Sequence, residues 1–424
     1  MKVLVIGSGG REHVLCWSLA KSPQLTRLFC APGNPGTAEV AENVEIAADD
    51  LDGLLSWARA QGIDLTVVGP EAPLCAGLAD RFIEAGLAVA GPSAAAARLE
   101  GSKAWAKRFM ARHDIPTAPF ELVSDVEAAD RYLETNPKAR VIKLDGLAGG
   151  KGVVVADDLA SAKAAVRDLS PRGELVIEER LRGEEVSVIA LADGERVLML
   201  ASSQDHKAAF DGDTGPNTGG MGAYSPAPML DAVLAGEVQR RVLEPTIAGL
   251  AADGIPFRGI LYAGLMIVDG EPQVLEYNCR FGDPEAQTLL PRLASDLLPL
   301  LAGAAAGELP REDLCWDPRP ALCVVLASGG YPGKSPTGLP IEGVAAVNAA
   351  AGDELMVFHA GTALVDERLV TAGGRVLAVT ALGDDLGAAR ARAYAACERI
   401  TWPERRFRRD IGHRALRRNA DAPR

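Results

Sequence analysis

A carboxylate, an amide and a guanidinium alternate along Glu276-Tyr277-Asn278-Cys279-Arg280. Residues two apart on a β-strand share a face, so Glu276, Asn278 and Arg280 are expected to project together. Carboxylate and amide oxygens are hard donors suited to Mg²⁺ or Mn²⁺, and Mg²⁺ takes few protein ligands, completing its shell with phosphate and water. Ala263 and Gly264, across a hairpin turning at Asp269-Gly270, leave room beside that face. The plainer alternative is a half-buried strand whose polar side chains meet only solvent.

A second constellation runs from Ile142 to Val153, where Lys143 on a strand precedes Gly146, Gly149, Gly150, Lys151 and Gly152. It is not a Walker A loop, because the spacing is wrong and Gly152 stands where Ser or Thr is required. A glycine-rich backbone can close over polyphosphate while Lys143 supplies a point charge. From Val176 to Glu185 a strand enters a turn carrying Glu178, Glu179, Glu184 and Glu185. Such a turn offers backbone groups to a purine edge and an acid to ribose hydroxyls, or is simply an exposed acidic turn.

Gly7-Ser8-Gly9-Gly10-Arg11-Glu12 places a glycine turn between a strand and a helix start, a cradle of N–H groups for an anion. Glu12 occupies the third glycine position of a dinucleotide fingerprint, and no acid follows the second strand. Gly9, Gly10, Arg11 and Glu12 are therefore expected to meet a phosphorylated substrate, with structural glycines as the alternative. The polar stretches Ser202–Lys207 and Pro216–Pro226 add Asp205, Lys207, Asn217 and Thr218 as substrate contacts; His206 is either a base or a structural histidine.

These residues need a scaffold. Apolar runs at 2–6, 25–30, 65–68 and 88–90 each end in glycine or proline loops and alternate with helical stretches, the pattern of a doubly wound parallel sheet over residues 1–102. Ligands of such sheets bind at those carboxyl-end loops. Ser102 is the expected N-cap of a following helix, with Trp105 and Phe109 on one face. Residues 123–182 read as a small α+β lid inserted into a larger domain of residues 103–122 and 183–319, in which 211–222 is a long loop. Residues 320–424 read as a C-terminal α+β domain with one late helix.

With 44 basic and 57 acidic residues, the net charge of −13 disfavours nucleic acid and anionic membranes as partners. The basic run Arg405–Arg409 reads as a solvated face, a nucleic acid patch being the alternative. Seven cysteines without a C-x-x-C pair suit reduced thiols in the cytoplasm. Membrane-spanning length and a signal peptide are both missing from the pattern.

The blocks KVLVIGSGGREHVL, APGNPGTA, KLDGLAGGKGV, SQDHK, DTGPNTGGMGAYSPAP and EYNCRFGDPEAQ, in this order, resemble the phosphoribosylamine–glycine ligase family of the ATP-grasp superfamily along essentially the whole chain. The resemblance implies a Rossmann-like first domain, an ATP-grasp fold with an inserted lid, and a small C-terminal α+β domain. It implies ATP-dependent joining of glycine to 5-phosphoribosylamine in purine synthesis by a monomer acting on small molecules. Carried over by position, Glu276 and Asn278 match metal ligands, Lys103 and Lys143 match lysines that reach ATP phosphates, and Gly149, Gly150 and Lys151 belong to the phosphate loop. Glu178 and Leu181 match the adenine hinge, and Glu185 a ribose contact. On this reading Lys143 and Arg280 serve catalysis, Arg280 holding the glycine carboxylate. Leu144 and Gly149 stand where the family commonly has alanine. Another ATP-grasp carboxylate–amine ligase is the runner-up.

Overall fold

The computed structural model describes residues 1–147, 152–311 and 313–421, with the side chains of 419–421 left aside. The first sheet comprises β1 (Lys2–Gly7), β2 (Arg27–Pro32), β3 (Glu42–Asn43), β4 (Leu65–Val68) and β5 (Val89–Ala90), all parallel in the order β3-β2-β1-β4-β5. β1 is buried along nearly its whole length, as a continuous Val-Leu-Val-Ile run requires of a strand covered on both faces. The helix Lys103–Arg112 is capped by Ser102, whose Oγ accepts from Trp105 N at 3.1 Å. Trp105 and Phe109 stack 5.3 Å apart on one side of it.

Next come β6 (Phe120–Val123), β7 (Ala139–Leu144), β8 (Val153–Val155) and β9 (Leu175–Glu179), an antiparallel sheet in the order β6-β9-β7-β8. With two helices it encloses a separate apolar core, drawn from residues between Val123 and Ile177. That independence lets the unit pack as a flap over its neighbours.

The chain continues through β10 (Glu184–Asp193), β11 (Val197–Met199), β12 (Gln204–Asp205), β13 (Ala208–Phe210), β14 (Thr214–Asn217), β15 (Gly222–Ser225), β16 (Arg258–Val268) and β17 (Glu271–Asn278). β11-β10-β16-β17 form the central antiparallel sheet, and β16 turns into β17 at Asp269-Gly270 as expected. Stretch 211–222, read above as a loop, instead holds most of a small β13–β14 hairpin and leads into β15. Glycines and prolines there masked the strand pattern.

The last strands are β18 (Ala321–Ala327), β19 (Leu355–His359), β20 (Thr362–Val365), β21 (Arg368–Thr371) and β22 (Arg375–Leu382). β12 and β15 join β18, β22 and β19 in one sheet, ordered β12-β15-β18-β22-β19. The C-terminal sheet thus borrows two strands from about a hundred residues upstream. Among the described residues three helices rather than one accompany it, Val344–Ala350, Leu386–Arg399 and His413–Asp421. The basic run is spent internally. Arg405 donates to the carbonyls of Cys397 and Ile400, Arg408 is buried on Asp213 and Asp410, and Arg409 meets Glu398 at 2.7 Å. No helix among the described residues is long and apolar enough to cross a membrane.

Candidate active site

A cavity of about 540 Å³ opens where the first sheet, the flap, the central sheet and the C-terminal sheet meet. Among the described residues seven cationic and seven carboxylate side chains line it, so its field is set by local pairing. Lysines gather at one end and arginines at the other.

At the lysine end, Glu178 is buried and takes two cations: Lys143 Nζ at 2.8 Å and Lys107 Nζ at 3.2 Å. Lys143 also donates to Leu275 O at 2.9 Å, which ties the flap to the central sheet. Lys107 donates to Thr117 Oγ1 at 2.6 Å. Burial lowers the Lys107 ammonium to about 8, against the attraction of Glu178. Lys103 donates to Gly146 O at 2.8 Å, while the Asp145 carboxylate accepts from Ser102 Oγ and Ala104 N, each at 3.0 Å. The start of the flap's glycine loop is therefore fastened to the N-terminus of the Lys103–Arg112 helix. Burial pulls Lys103 below its ordinary range, with Glu276 opposing.

Glu276 and Asn278 both line the cavity from β17, opposite Gly264 and Tyr262 of β16. A Cβ at Gly264 would come within 3.3 Å of Glu276 Cγ, so that glycine does make room. Burial would raise the Glu276 carboxyl, but Lys207, Lys143 and Lys103 outweigh it and hold the group anionic. Lys207 Nζ lies 3.1 Å from Glu185 and 3.7 Å from Glu276. Facing both carboxylates, it is raised well above its usual range although burial acts the other way. Among the described residues no group of three or more His, Cys, Asp or Glu could hold a metal alone. One carboxylate and one amide oxygen, side by side on a strand, instead fit a cation that arrives with phosphate oxygens as further ligands.

Three arginines define the opposite end. Arg280 sits between Glu100 (2.8 Å) and Glu71 (3.3 Å) and donates to Phe281 O at 3.2 Å. Two carboxylates already neutralise it, and three of its five N–H groups are committed. The expected bidentate grip on a substrate carboxylate would require displacing Glu71 or Glu100. Arg11 pairs with Glu12 at 2.7 Å and donates to Phe281 O at 3.2 Å. Arg375, on β22, donates through Nη1 to Gly219 O and Asp283 O, each at 2.7 Å.

The glycine turn differs from expectation. Glu12 folds back beneath it and accepts from Gly9 N at 2.5 Å. Gly7 has φ +126°, and a Cβ there would lie 2.6 Å from Glu12. An internal carboxylate fills the cradle, so Gly9, Gly10 and Glu12 build the turn and only Arg11 of the four lines the cavity. A Glu in place of the fingerprint glycine was the available signal.

Other expected contacts divide. Asp205, Lys207 and Thr218 line the cavity; Asn217 is exposed on β14 beyond the lining, and Leu181, half-buried in the turn after β9, also lies outside it. Burial raises the Asp205 carboxyl to about 7, with Lys207 opposing. Gly149, Gly150 and Lys151 lie outside the described residues. His206 is buried, accepts from Gly412 N at 3.3 Å and is lowered to about 3 by burial, so it is a neutral structural residue. Sequence reasoning missed Lys107, Glu71, Glu100, Glu285, Tyr331 and Arg375. Lys107 alone was within reach, one helical turn beyond Lys103.

A polyphosphate-sized, lysine-lined cavity between an independently packed flap and a metal-fitting strand defines the ATP-grasp class of ligases. Family models agree: the phosphoribosylglycinamide synthetase N domain matches residues 1–100, its ATP-grasp (A) domain 101–286 and its C domain 321–414. A phosphoribosylamine–glycine ligase of Allochromatium vinosum is 55% identical over 99% of both chains, and that of Pseudomonas aeruginosa 52% over 99% of both. The crystal structure of a Thermotoga maritima phosphoribosylamine–glycine ligase superposes with TM-score 0.82 at 33% identity, covering 97% of this chain and 100% of that one. The chain belongs to the phosphoribosylglycinamide synthetase family and is an ATP-dependent ligase. A biotin carboxylase domain from Hydrogenobacter thermophilus, at 17% identity and TM-score 0.71 over 96% of this chain and 91% of that one, shares the fold.

Proposed function

We propose that this chain joins glycine to 5-phosphoribosylamine, consuming ATP and releasing glycinamide ribonucleotide, ADP and phosphate in purine synthesis. The observation that carries the reading is the segregated cavity, whose lysines and Glu276–Asn278 pair suit a triphosphate while a second compartment remains beyond them. A carboxylate is a poor electrophile because oxide cannot leave. Transfer of the γ-phosphoryl group to glycine gives an acyl phosphate, and attack by the amine nitrogen expels phosphate.

In such a reaction the protein positions reactants and neutralises charge. Lys143 and Lys103 balance the phosphates, the flap excludes water, and Glu276 with Asn278 would hold the divalent cation, Mg²⁺ or Mn²⁺. Bound there, the cation would supply charge neutralisation on the phosphates. Lys143 is engaged with Glu178 at 2.8 Å, so its use on phosphate involves sharing or exchanging that partner. Residues 123–182 serve as the lid, 103–122 with 183–319 as the ATP-binding body, 1–102 as the substrate-side domain and 320–424 as the closing C-terminal unit. We place the enzyme in the cytoplasm as a monomer, which sedimentation of the purified chain tests.

Phosphate release is measured with ATP, glycine and phosphoribosylamine, and again with each omitted. Release is expected only with all three and Mg²⁺ or Mn²⁺ present. Release without the amine assigns the chain a different acceptor.

A further inference from the structure

We infer that Lys107 is a positioning residue for the reaction, keeping Glu178 paired when Lys143 leaves that carboxylate for the phosphates of ATP. The inference rests on the ligation proposed above. Glu178 is buried and divides its two oxygens between two cations, with Lys143 Nζ 2.8 Å from Oε1 and Lys107 Nζ 3.2 Å from Oε2. Were Lys143 the sole partner, its move to a phosphate would strand a buried carboxylate, and a buried charge left alone is strongly destabilising. With Lys107 on the other oxygen, Glu178 stays paired while Lys143 moves.

The two lysines are anchored differently. Lys107 is buried and donates to Thr117 Oγ1 at 2.6 Å, and that hydroxyl donates in turn to Val274 O at 2.6 Å. The chain of donors pins the Lys107 ammonium between its helix and β17. Lys143 lies within ion-pair distance of Glu178 Oε1, yet that oxygen has no hydrogen-bond partner among the described residues. The hydrogen bond Lys143 does make, to Leu275 O at 2.9 Å, leaves further N–H groups to turn toward phosphate oxygens. Lys107 is thus the fixed counter-ion and Lys143 the exchangeable one. The charged groups facing Lys107 are Glu178 from β9 and Lys143 from β7; burial lowers its ammonium to about 8, Glu178 opposing and Lys143 adding to the fall. Departure of Lys143 removes that repulsion, so Lys107 holds its proton more tightly once the triphosphate is bound. Affinity for the triphosphate is then fully present below about pH 8 and is lost as pH rises through that value.

The test titrates the full chain calorimetrically with a non-hydrolysable ATP analogue and Mg²⁺. Adenosine is the control, because it has no phosphate to draw Lys143 away. Lys107→Met is expected to weaken analogue binding about tenfold to a hundredfold, the scale of a lost charge-assisted contact, and to leave adenosine within about twofold. In turnover the Michaelis constant for ATP should rise by the same factor, and those for glycine and the amine should stay within about twofold. From about pH 7 to pH 9 the wild-type affinity for the analogue should decline more steeply than that of Lys107→Met. In a Glu178→Gln background, where no carboxylate needs a partner, the same substitution should lose most of its effect. That background also serves if the single variant melts early, because it leaves no buried carboxylate unpaired. Wild-type affinity in Lys107→Met overturns the inference. Equal weakening of analogue and adenosine, or an undiminished effect in the Gln background, makes Lys107 purely structural and overturns it too. A wild-type chain that forms no product yet shows the expected binding pattern keeps the role of Lys107 while removing the proposed reaction.

Discussion

The two ends of the cavity are built in opposite ways. The lysine end is assembled from neighbours in sequence: Ser102 and Lys103 open one helix, Lys107 follows one turn later, and Lys143 stands three residues before the loop that Lys103 fastens. The arginine end draws Arg11 from the first sheet's opening helix, Arg280 from the end of the central sheet and Arg375 from the C-terminal sheet. All three donate to carbonyls of the single turn Phe281–Asp283. One end is local and sits beside an independently packed flap; the other is a junction of three domains. Chemistry should therefore be most sensitive at the first, and architecture at the second.

The largest effect should come from Glu276→Ala, at the wall shared by both ends. Loss of several kcal/mol of charge stabilisation at a metal site corresponds to a fall in turnover of about a thousandfold. The melting temperature should change little, since this side chain borders open cavity. Undiminished synthesis at saturating Mg²⁺ would detach the metal strand from the reaction and dissolve the distinction between the ends.

Lys107→Met probes the lysine end as a buried network. Lys107 and Glu178 are both almost fully buried, and removing one partner of such a pair costs about 3–5 kcal/mol. Lys143 remains on Glu178 and should recover part of this. A urea midpoint equal to that of the wild type would mean that Glu178 is satisfied by Lys143 alone.

A smaller effect tests the filled glycine turn. Glu12→Ala removes the acceptor of Gly9 N and the partner of Arg11, for about 1–3 kcal/mol of stability. Were the turn a ligand cradle, emptying it would improve affinity for ribose 5-phosphate. Affinity should instead fall modestly, because Arg11 loses its brace.

This contrast also marks how far the sequence could be read. The parallel first sheet, the flap strands and the β16–β17 hairpin followed from runs of apolar residues and their turn signals, because such patterns are local. Glu276, Asn278 and Lys143 stood out for the same reason, whereas Lys103 entered only through the family resemblance. Arg375 was not: it opens β22 after two glycines, and nothing within ten residues announces a ligand. The glycine spacing after β1 reads the same over a carboxylate as over an open cradle, and Glu12 at the third fingerprint position was the one local sign of the difference. The paired roles of Glu71, Glu100 and Lys107 depend on helices meeting β17, a tertiary fact.

Acidification should set the two ends against each other. The arginine end rests on a contact between the first helix and β19, where His359 N donates to His13 Nδ1 at 2.8 Å. Burial, with His359 adding to it, lowers His13 to about 3, and burial lowers His359 to about 4. An unfolded histidine titrates near 6.5, so as pH falls below that value the unfolded chain binds protons that the folded one refuses. Stability is then lost by up to about 1.4 kcal/mol per pH unit for each histidine. His206, lowered to about 3, adds a third. Asp205 at the lysine end has the opposite sign: its carboxyl is raised to about 7, so the folded state gains protons first and becomes more stable as pH falls. Urea midpoints between pH 7 and 5, above the range of ordinary carboxylates, should therefore decline with the slope of about two histidines. His13→Gln, which keeps an acceptor for His359 N and cannot titrate, should remove one of them. Asp205→Asn should steepen the decline. If both variants show the wild-type slope, the pH dependence arises elsewhere and the two ends do not differ in this respect.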